Sequence, residues 1–243
     1  MHNSKALIPF GFLLALSLVI STYLVTDAMR DIRMSHQIIK VRGYAETQVE
    51  SDLAIWSITV KARNRNMAEA YAVLAAHREK VLDFLKKNSV EAQETKILSV
   101  NVSERKKRTE KGYETSEIEA FKLSQRIEVK SRDVQNISEI STAVADLLGE
   151  GIDLQAGMPS YYYTRVNELK GQLLVEATKD ARERARTLAE GSGVKLGPLR
   201  AARQGVFSVR SADSSSISEG SSDDVSSISK KVTAVVTVDY AMQ

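Results

Sequence analysis

The sequence contains no cysteine among its 243 residues, and this absence excludes several kinds of site together. Disulfide bridges, thiolate nucleophiles and cysteine-ligated zinc or iron–sulfur centres all require a sulfur atom. Histidine is also scarce, because the chain has only His2, His36 and His77, none of them beside a candidate nucleophile. His77 is predicted on the exposed side of a helix.

No familiar catalytic motif makes up for these absences. The sequence has no H-E-x-x-H metal site and no G-x-S-x-G nucleophile turn. Its glycine-rich site, Gly191-Ser192-Gly193, follows a predicted helix, whereas a phosphate cradle lies where a helix begins. We therefore predict no catalytic residue, no cofactor and no metal site, and a protein that is not an enzyme.

Charge of one sign is not in large excess. Lys and Arg number 34 and Asp and Glu number 31, which gives a formal net charge of +3. A nucleic-acid-binding domain usually carries a basic patch or stripe on a strongly basic chain. No nucleic acid is therefore predicted as a partner.

One long hydrophobic run is present, at residues 6–25, and it carries no charge. As a helix it would span the roughly 30 Å of a bilayer's hydrocarbon core. The run is longer than the apolar centre of a secretory signal, and only the poor cleavage site Thr26-Asp27-Ala28 follows it. We predict a single-pass anchor, with residues 1–5 in the cytoplasm and residues 26–35 as a linker. The alternative is a cleaved signal peptide.

Small residues recur at four-residue spacing within this run. Gly11 and Ala15 form one such pair, and Ser17 and Ser21 form another. Small side chains at this spacing allow two membrane helices to approach closely. The four residues are candidate oligomer contacts, with ordinary lipid-facing positions as the alternative.

Beyond the run, the hydrophobic period switches repeatedly between that of strands and that of helices. We predict an α+β fold in an extracytoplasmic domain at 36–243, with a mixed or antiparallel sheet packed by helices. Its expected elements are about seven strands (36–43, 52–62, 95–102, 119–130, 152–156, 199–209 and 231–240) and three helices (66–88, 133–149 and 165–190).

Three polar or aromatic segments between these elements are candidate contact sites. The basic hairpin tip could touch anionic lipid or a polyanion, or could simply prevent edge-to-edge pairing. The tyrosine run predicts an edge strand at a subunit contact, with ligand stacking as the alternative. The Ser-rich segment 211–229 is predicted to be a mobile loop, with cation binding as the minor alternative. The candidate residues are Arg105, Lys106, Lys107 and Arg108 in the tip, Tyr161, Tyr162 and Tyr163 in the run, and Asp223 and Asp224 in the loop.

An ordered series of motifs resembles the SIMPL-domain family of bacterial envelope proteins, over residues 38–240. The resemblance implies an α+β fold outside the cytoplasm and no established catalytic residues. It also implies large ring-like or channel-like oligomers, because members similar to the periplasmic immunogenic protein assemble in that way. The motifs are residues 43–46, Asp52 at the start of an alternating strand, the helix from Asn66 to before Val90, and residues 177–189 followed by 193–198.

Together these observations predict a self-assembling scaffold or stress-related protein of the bacterial inner membrane, with its C-terminal domain in the periplasm. Its partners would be further copies of itself and the bilayer, through residues 6–25. A cleaved chain would instead be soluble in the periplasm. The competing prediction is an adaptor that binds another envelope protein through its exposed loops.

Overall fold

The computed structural model describes residues 15–26, 38–110, 112–214 and 223–242. The predicted α+β class is confirmed. The described helices are α1 (15–26), α2 (Met67–Lys87), α3 (Val134–Ala143), α4 (Asp146–Gly149) and α5 (Val166–Gly191), with a 3₁₀ turn at Ala92–Glu94. The described strands are β1 (Ile38–Glu50), β2 (Leu53–Asn64), β3 (Thr95–Arg108), β4 (Glu114–Ser131), β5 (Leu154–Ala156), β6 (Ser160–Tyr162), β7 (Leu196–Ser211) and β8 (Ser229–Met242). Strand β2 pairs in antiparallel fashion with β4, β5 and β6, and β3 pairs in the same way with β4.

These strands form two sheets rather than the single sheet that was expected. One sheet has the order β1-β8-β7, and the other has the order β3-β4-β2-β5, with β6 also pairing with β2. The chain divides into two compact units. The first unit is Met1–Glu46, Lys170–Phe207 and Thr233–Gln243, and the second unit is Thr47–Leu169 and Ser208–Val232.

The core of the second unit lies on one face of its five-stranded sheet. Alternation in β2 directs Trp56, Ile58 and Val60 to the face against which α2 and α3 pack, and all three are fully buried. The indole Nε1 of Trp56 donates a hydrogen bond to the Gly157 carbonyl at 2.8 Å, so burial leaves no unpaired donor on the ring. Trp56 is therefore a core residue.

The bounds of α2 follow from side-chain and backbone capping. Asn66 accepts hydrogen bonds from the backbone amides of Ala68 and Glu69, which satisfies two donors at the helix start. At the other end, the Val90 amide donates to the Leu85 carbonyl, and Ser89 adopts a φ of 62°. This is the Schellman arrangement, with serine in the place usually taken by glycine.

The predicted helix 133–149 is interrupted after Ala143. Between α3 and α4, the Ala145 and Leu147 amides donate to carbonyls three residues earlier. These tighter bonds change the turn geometry while Val144 and Leu147 stay buried. The buried face therefore matches the expectation, although the helix is not continuous.

The core of the first unit is built on small residues of α5. Ala177, Ala181, Ala185 and Ala189 are fully buried, whereas Leu188, expected in the same stripe, is exposed. Strand β1 continues through Gly43, where the sequence suggested that it would end. A Cβ atom at Gly43 would lie 2.0 Å from the Ala177 carbonyl oxygen, so glycine here allows close packing of α5.

Candidate functional site

Helix α1 carries three of the predicted contact residues. Ala15, Ser17 and Ser21 lie in this helix and are exposed, while Gly11 lies outside the described residues. Thr22 and Thr26 donate hydrogen bonds to carbonyls four residues earlier, so their hydroxyls are paired within the helix. In the described parts of the chain, no helix is both long and apolar enough to cross a membrane. Large apolar side chains nevertheless cover α1, each at least half exposed: Leu16, Leu18, Val19, Ile20, Tyr23, Leu24 and Val25.

Strands β3 and β4 are longer than predicted and continue past the end of β2. The β2–β4 pairing stops at Asn64 and Phe121, while β3 and β4 stay paired as far as Arg108 and Glu114. We call residues 105–120 the hairpin extension. A two-stranded hairpin is only marginally stable in water without further packing, so this part of the fold needs additional stabilisation.

Cross-strand ion pairs supply part of that stabilisation. Lys107 binds Glu117, Arg108 approaches Glu114 at 3.4 Å, and Arg105 approaches Glu119 at 3.1 Å. The hydrogen bond from Lys107, followed by its charge, lowers the pKa of Glu117. Lys106 has no charged partner among the described residues. Three of the four predicted basic residues are thus neutralised within the hairpin, which weakens the case for a polyanion contact at its tip.

The hairpin extension also exposes apolar surface. Tyr113 is 73% exposed and Ile118 is 43% exposed, while Val102, just before the extension, is 47% exposed. Strand β3 lies at the edge of its sheet. An edge strand presents unpaired backbone groups that another chain can pair with. Exposed side chains beside a free edge make this region the best candidate contact surface in the second unit.

A groove lies beside the first residues of the same edge strand. It has a volume of about 670 Å³ and is lined by residues of α2, the segment after α2, the 3₁₀ turn and β3, including Leu82, Val90 and Ile97. Ile97 pairs with the fully buried Ile127, so it belongs to the core-facing side of the sheet. Because Ile97 is itself exposed, the core face is left uncovered at this edge.

The tyrosine run lies in and just after β6, a short strand that pairs with β2, where the sequence predicted an edge strand. Tyr161 pairs with Ala54 and is buried, whereas Tyr162 pairs with Leu53 and is 38% exposed. The Arg165 guanidinium lies 5.7 Å from the centre of the Tyr163 ring. The three rings therefore have different surroundings, and Tyr162 is the one available for a contact.

Both ends of the Ser-rich segment are described, and the second end is held by hydrogen bonds. The Val225 carbonyl accepts from Tyr161, the Ile228 carbonyl accepts from Ser51, and Asp223 accepts from the Val209 amide at 3.2 Å. Residues 223–228 are thus held in place within the second unit by hydrogen bonds to Ser51, Tyr161 and Val209.

Asp224 and Lys230 form a polar cluster at this point. The Asp224 carboxylate accepts hydrogen bonds from the Ser226 amide at 2.9 Å and from the hydroxyls of Ser226 and Ser227. Lys230 is 1% exposed, and its Nζ donates to the Asp224 carbonyl at 2.6 Å, with the carboxylate 3.9 Å away. Burial lowers the pKa of Lys230, although the charges of Asp224 and Asp223 oppose this shift.

The same cluster sets a pH dependence of stability. Burial raises the pKa of Asp224, but hydrogen bonds from Ser227 and Ser226 and the charge of Lys230 outweigh it and bring the pKa from 3.8 to about 2. The ionised carboxylate therefore stabilises the fold above pH 4, by about 1–2 kcal/mol after allowance for solvent screening. This contribution is lost as the pH falls towards 2. Urea unfolding between pH 2 and 6 should show a steeper decline for the wild type than for Asp224→Asn. Parallel profiles would contradict the assignment.

Sequence reasoning missed the buried polar residues, among them Lys230 and Gln125, although the positions of these two in the strand alternation predict burial. Lys230 is in phase with Val232 and Ala234 in β8, and Gln125 is in phase with Leu123 and Ile127 in β4. A polar residue at a buried position of an alternating strand requires an internal partner.

Asp224 and Lys230 have their hydrogen-bond partners within the fold. Within the described ranges, no group of three or more His, Asp or Glu side chains could hold a metal ion. Asp52, whose pKa is lowered because hydrogen bonds from Thr164 and Arg165 outweigh the effect of burial, also has its partners within the fold. His77, predicted to be exposed, is half-buried, with Nδ1 3.0 Å from the Lys61 carbonyl.

The chain was also compared with known proteins and protein families. The family model that matches is SIMPL, described as a protein of unknown function (DUF541), and it covers residues 39–240. No curated protein matches the chain.

Proposed function

The chain belongs to the SIMPL family, and from this premise we propose that it is a membrane-anchored, extracytoplasmic scaffold protein that assembles with copies of itself. A ring-like or channel-like oligomer in the cell envelope, with a structural or stress-related role, is the form we propose for the assembly. In this proposal the protein is not an enzyme.

The hairpin extension is the observation that carries the proposal. Its two strands pair with each other past the end of β2, its charges are largely matched internally, and it exposes Tyr113 and Ile118. A second copy that covered these side chains would bury apolar surface beside basic residues that are mostly paired already, with Lys106 as the exception. The free edge of β3 would allow backbone pairing in the same contact.

The proposed anchor is the uncharged run at residues 6–25. Its described part, in α1, exposes large apolar side chains along the helix. An apolar surface of this kind is expected to lie in lipid or against another apolar surface. The proposed location is therefore the bacterial inner membrane, with residues 36–243 in the periplasm.

The non-enzymatic part of the proposal has its own support. Where pKa values depart from their ordinary range, at Asp52, Arg78, Glu117, Asp224 and Lys230, partners within the fold or burial explain the shift. Catalytic groups with such shifts normally face a cleft where a substrate can bind.

Light scattering coupled to size-exclusion chromatography of the full chain in detergent tests the assembly. We expect the wild type to be an oligomer at micromolar concentration. The double variant Tyr113→Ser/Ile118→Ser should lower the affinity of self-association about tenfold or more, because each substitution removes an apolar side chain that the contact buries. Leu148→Ser on α4 is the matched control, since Leu148 is similarly exposed but lies outside the extension.

A monomeric wild type would reject the scaffold and favour the adaptor alternative. An oligomer that is insensitive to the double variant would keep self-assembly but move the contact to another surface.

A further inference from the structure

The five-stranded sheet has a second face, opposite the one that α2 and α3 cover. Cross-strand partners lie on the same face of a sheet, and the register pairs Arg63 with Lys122, Thr59 with Arg126 and Lys96 with Glu128. These residues alternate with the buried set that includes Trp56 and Val129. We call this surface the open face. Its basic residues are Lys61, Arg63, Lys96, Lys122, Arg126 and Lys130, and its acidic residues are Glu128 and Asp153, the latter opposite Lys61.

Positive charge predominates on the open face. Lys130 pairs with Glu128 at 3.4 Å, and Arg63 reaches Glu119 at 2.8 Å. The exposed cations Lys96, Lys122 and Arg126 form no ion pair and no side-chain hydrogen bond among the described residues, although Lys96 lies opposite Glu128 in the register. The open face thus carries three unmatched positive charges, on a chain whose net charge is only +3.

One pair of basic residues on the open face is electrostatically unfavourable. Arg63 and Lys122 lie directly opposite each other in the β2–β4 register. Like charges in such a pair are destabilising. Glu119, 2.8 Å from Arg63, offsets part of that repulsion. An anionic partner beside Lys122 would offset more of it.

We infer that the open face docks on the surface of an anionic phospholipid bilayer. The cations are spread over three neighbouring strands, from the Lys130–Ile55 pair to the Lys122–Arg63 pair, which is about 26 Å along the strands. A two-dimensional array of this kind fits a plane of lipid phosphates better than one bound phosphate group. Tyr162 lies on the same face, beside Leu53, and tyrosine is enriched where proteins meet the bilayer interface.

This docking rests on the proposed function in one respect, because a membrane anchor would keep the chain close to lipid. Each Lys or Arg near an anionic membrane surface contributes about a fivefold increase in binding. Three unmatched cations therefore favour contact about a hundredfold, and salt weakens the effect by screening.

The absence of cysteine makes a direct test possible. The full chain carrying Ser103→Cys, an exposed position paired with Lys122 on the open face, is labelled with a fluorophore and reconstituted into vesicles. The vesicles contain phosphatidylcholine alone or with about one third phosphatidylglycerol, together with a headgroup-attached quencher. Ala76→Cys, exposed on α2 across the sheet, is the matched control.

We expect quenching at Ser103→Cys only with phosphatidylglycerol. The triple substitution Lys96→Gln/Lys122→Gln/Arg126→Gln should reduce the contact equilibrium about a hundredfold. Equal quenching in both lipids, equal quenching at Ala76→Cys, or no effect of the triple substitution would overturn the docking.

Flotation of the same vesicles separates this inference from the anchor. A chain that floats with both lipids but shows no quenching retains the anchor and rejects the docking. Flotation that requires phosphatidylglycerol and is lost in the triple variant would support the docking and reject the anchor. Protection of the label by soluble polyphosphate, without quenching on vesicles, would identify a soluble polyanion as the partner and reject the lipid.

Discussion

Gly43→Ala is expected to destabilise the first unit by about 3 kcal/mol or more. The new Cβ would lie 2.0 Å from the Ala177 carbonyl oxygen and 2.6 Å from the Ala181 amide nitrogen. Both contacts are with helix backbone, which cannot turn aside as a side chain can. Helix α5 would have to move away from β1, and the buried alanines of α5 would lose their packing.

A neighbouring contact adds to the expected loss. The Tyr44 amide donates to Asp180 of α5 at 2.8 Å, and the same carboxylate oxygen accepts from Arg184 at 2.8 Å. Displacing α5 would break the Tyr44 bond as well, leaving an edge-strand amide without its acceptor.

Hydrogen exchange measured by mass spectrometry on peptides from α5 and β1, together with urea unfolding, tests this expectation. The matched control is Gly171→Ala in the same helix, where a Cβ meets nothing within 4 Å. That variant should gain about 0.5–1 kcal/mol, because alanine favours a helix over glycine. Peptides of α5 that stay fully protected in Gly43→Ala would contradict the close packing.

The contrast between Gly43 and β2 shows what local pattern could and could not predict. In β2 the alternation identified Ala54, Trp56, Ile58 and Val60 as one face, and all four are buried. Gly43 suggested the end of a strand because glycine often marks one. Its true role depends on α5, more than 130 residues later, and no local window contains that partner.

In the candidate site, likewise, the sequence predicted the basic residues but not their ion-pair partners. The composition of the basic hairpin tip identified Arg105, Lys107 and Arg108, but their pairing with acidic residues of β4 depends on register. Irregularities in β3 shift that register, including one between Ile97 and Val100. The buried Gln125 donates to the Leu98 carbonyl at 2.8 Å within that irregularity. Side-chain pairing of this kind follows from three-dimensional register, which hydrophobic period alone does not define.

Asp224→Ala is expected to be the second strongly destabilising change, at about 3 kcal/mol or more. The substitution removes the acceptor for Ser226 and Ser227 and the carboxylate that faces Lys230. Lys230 is 1% exposed, so its ammonium would remain buried, with the carbonyl of residue 224 as its close acceptor in the described part of the chain and Asp223 as its remaining acidic neighbour. An uncompensated buried charge is among the costliest single defects in a fold.

The reciprocal variant Lys230→Met should cost clearly less, because the side chains of Asp224 and Lys230 differ in exposure. The Asp224 side chain is 24% exposed, so water can solvate its carboxylate after the ammonium is removed. Methionine fills a similar volume and removes the cost of burying a charge. Urea unfolding of both variants and of the double variant at pH 7 measures the coupling between the two residues. Equal losses in the two single variants would contradict a buried lysine that depends on Asp224, whereas recovery of stability in the double variant over Asp224→Ala would identify the stranded ammonium as the source of the loss.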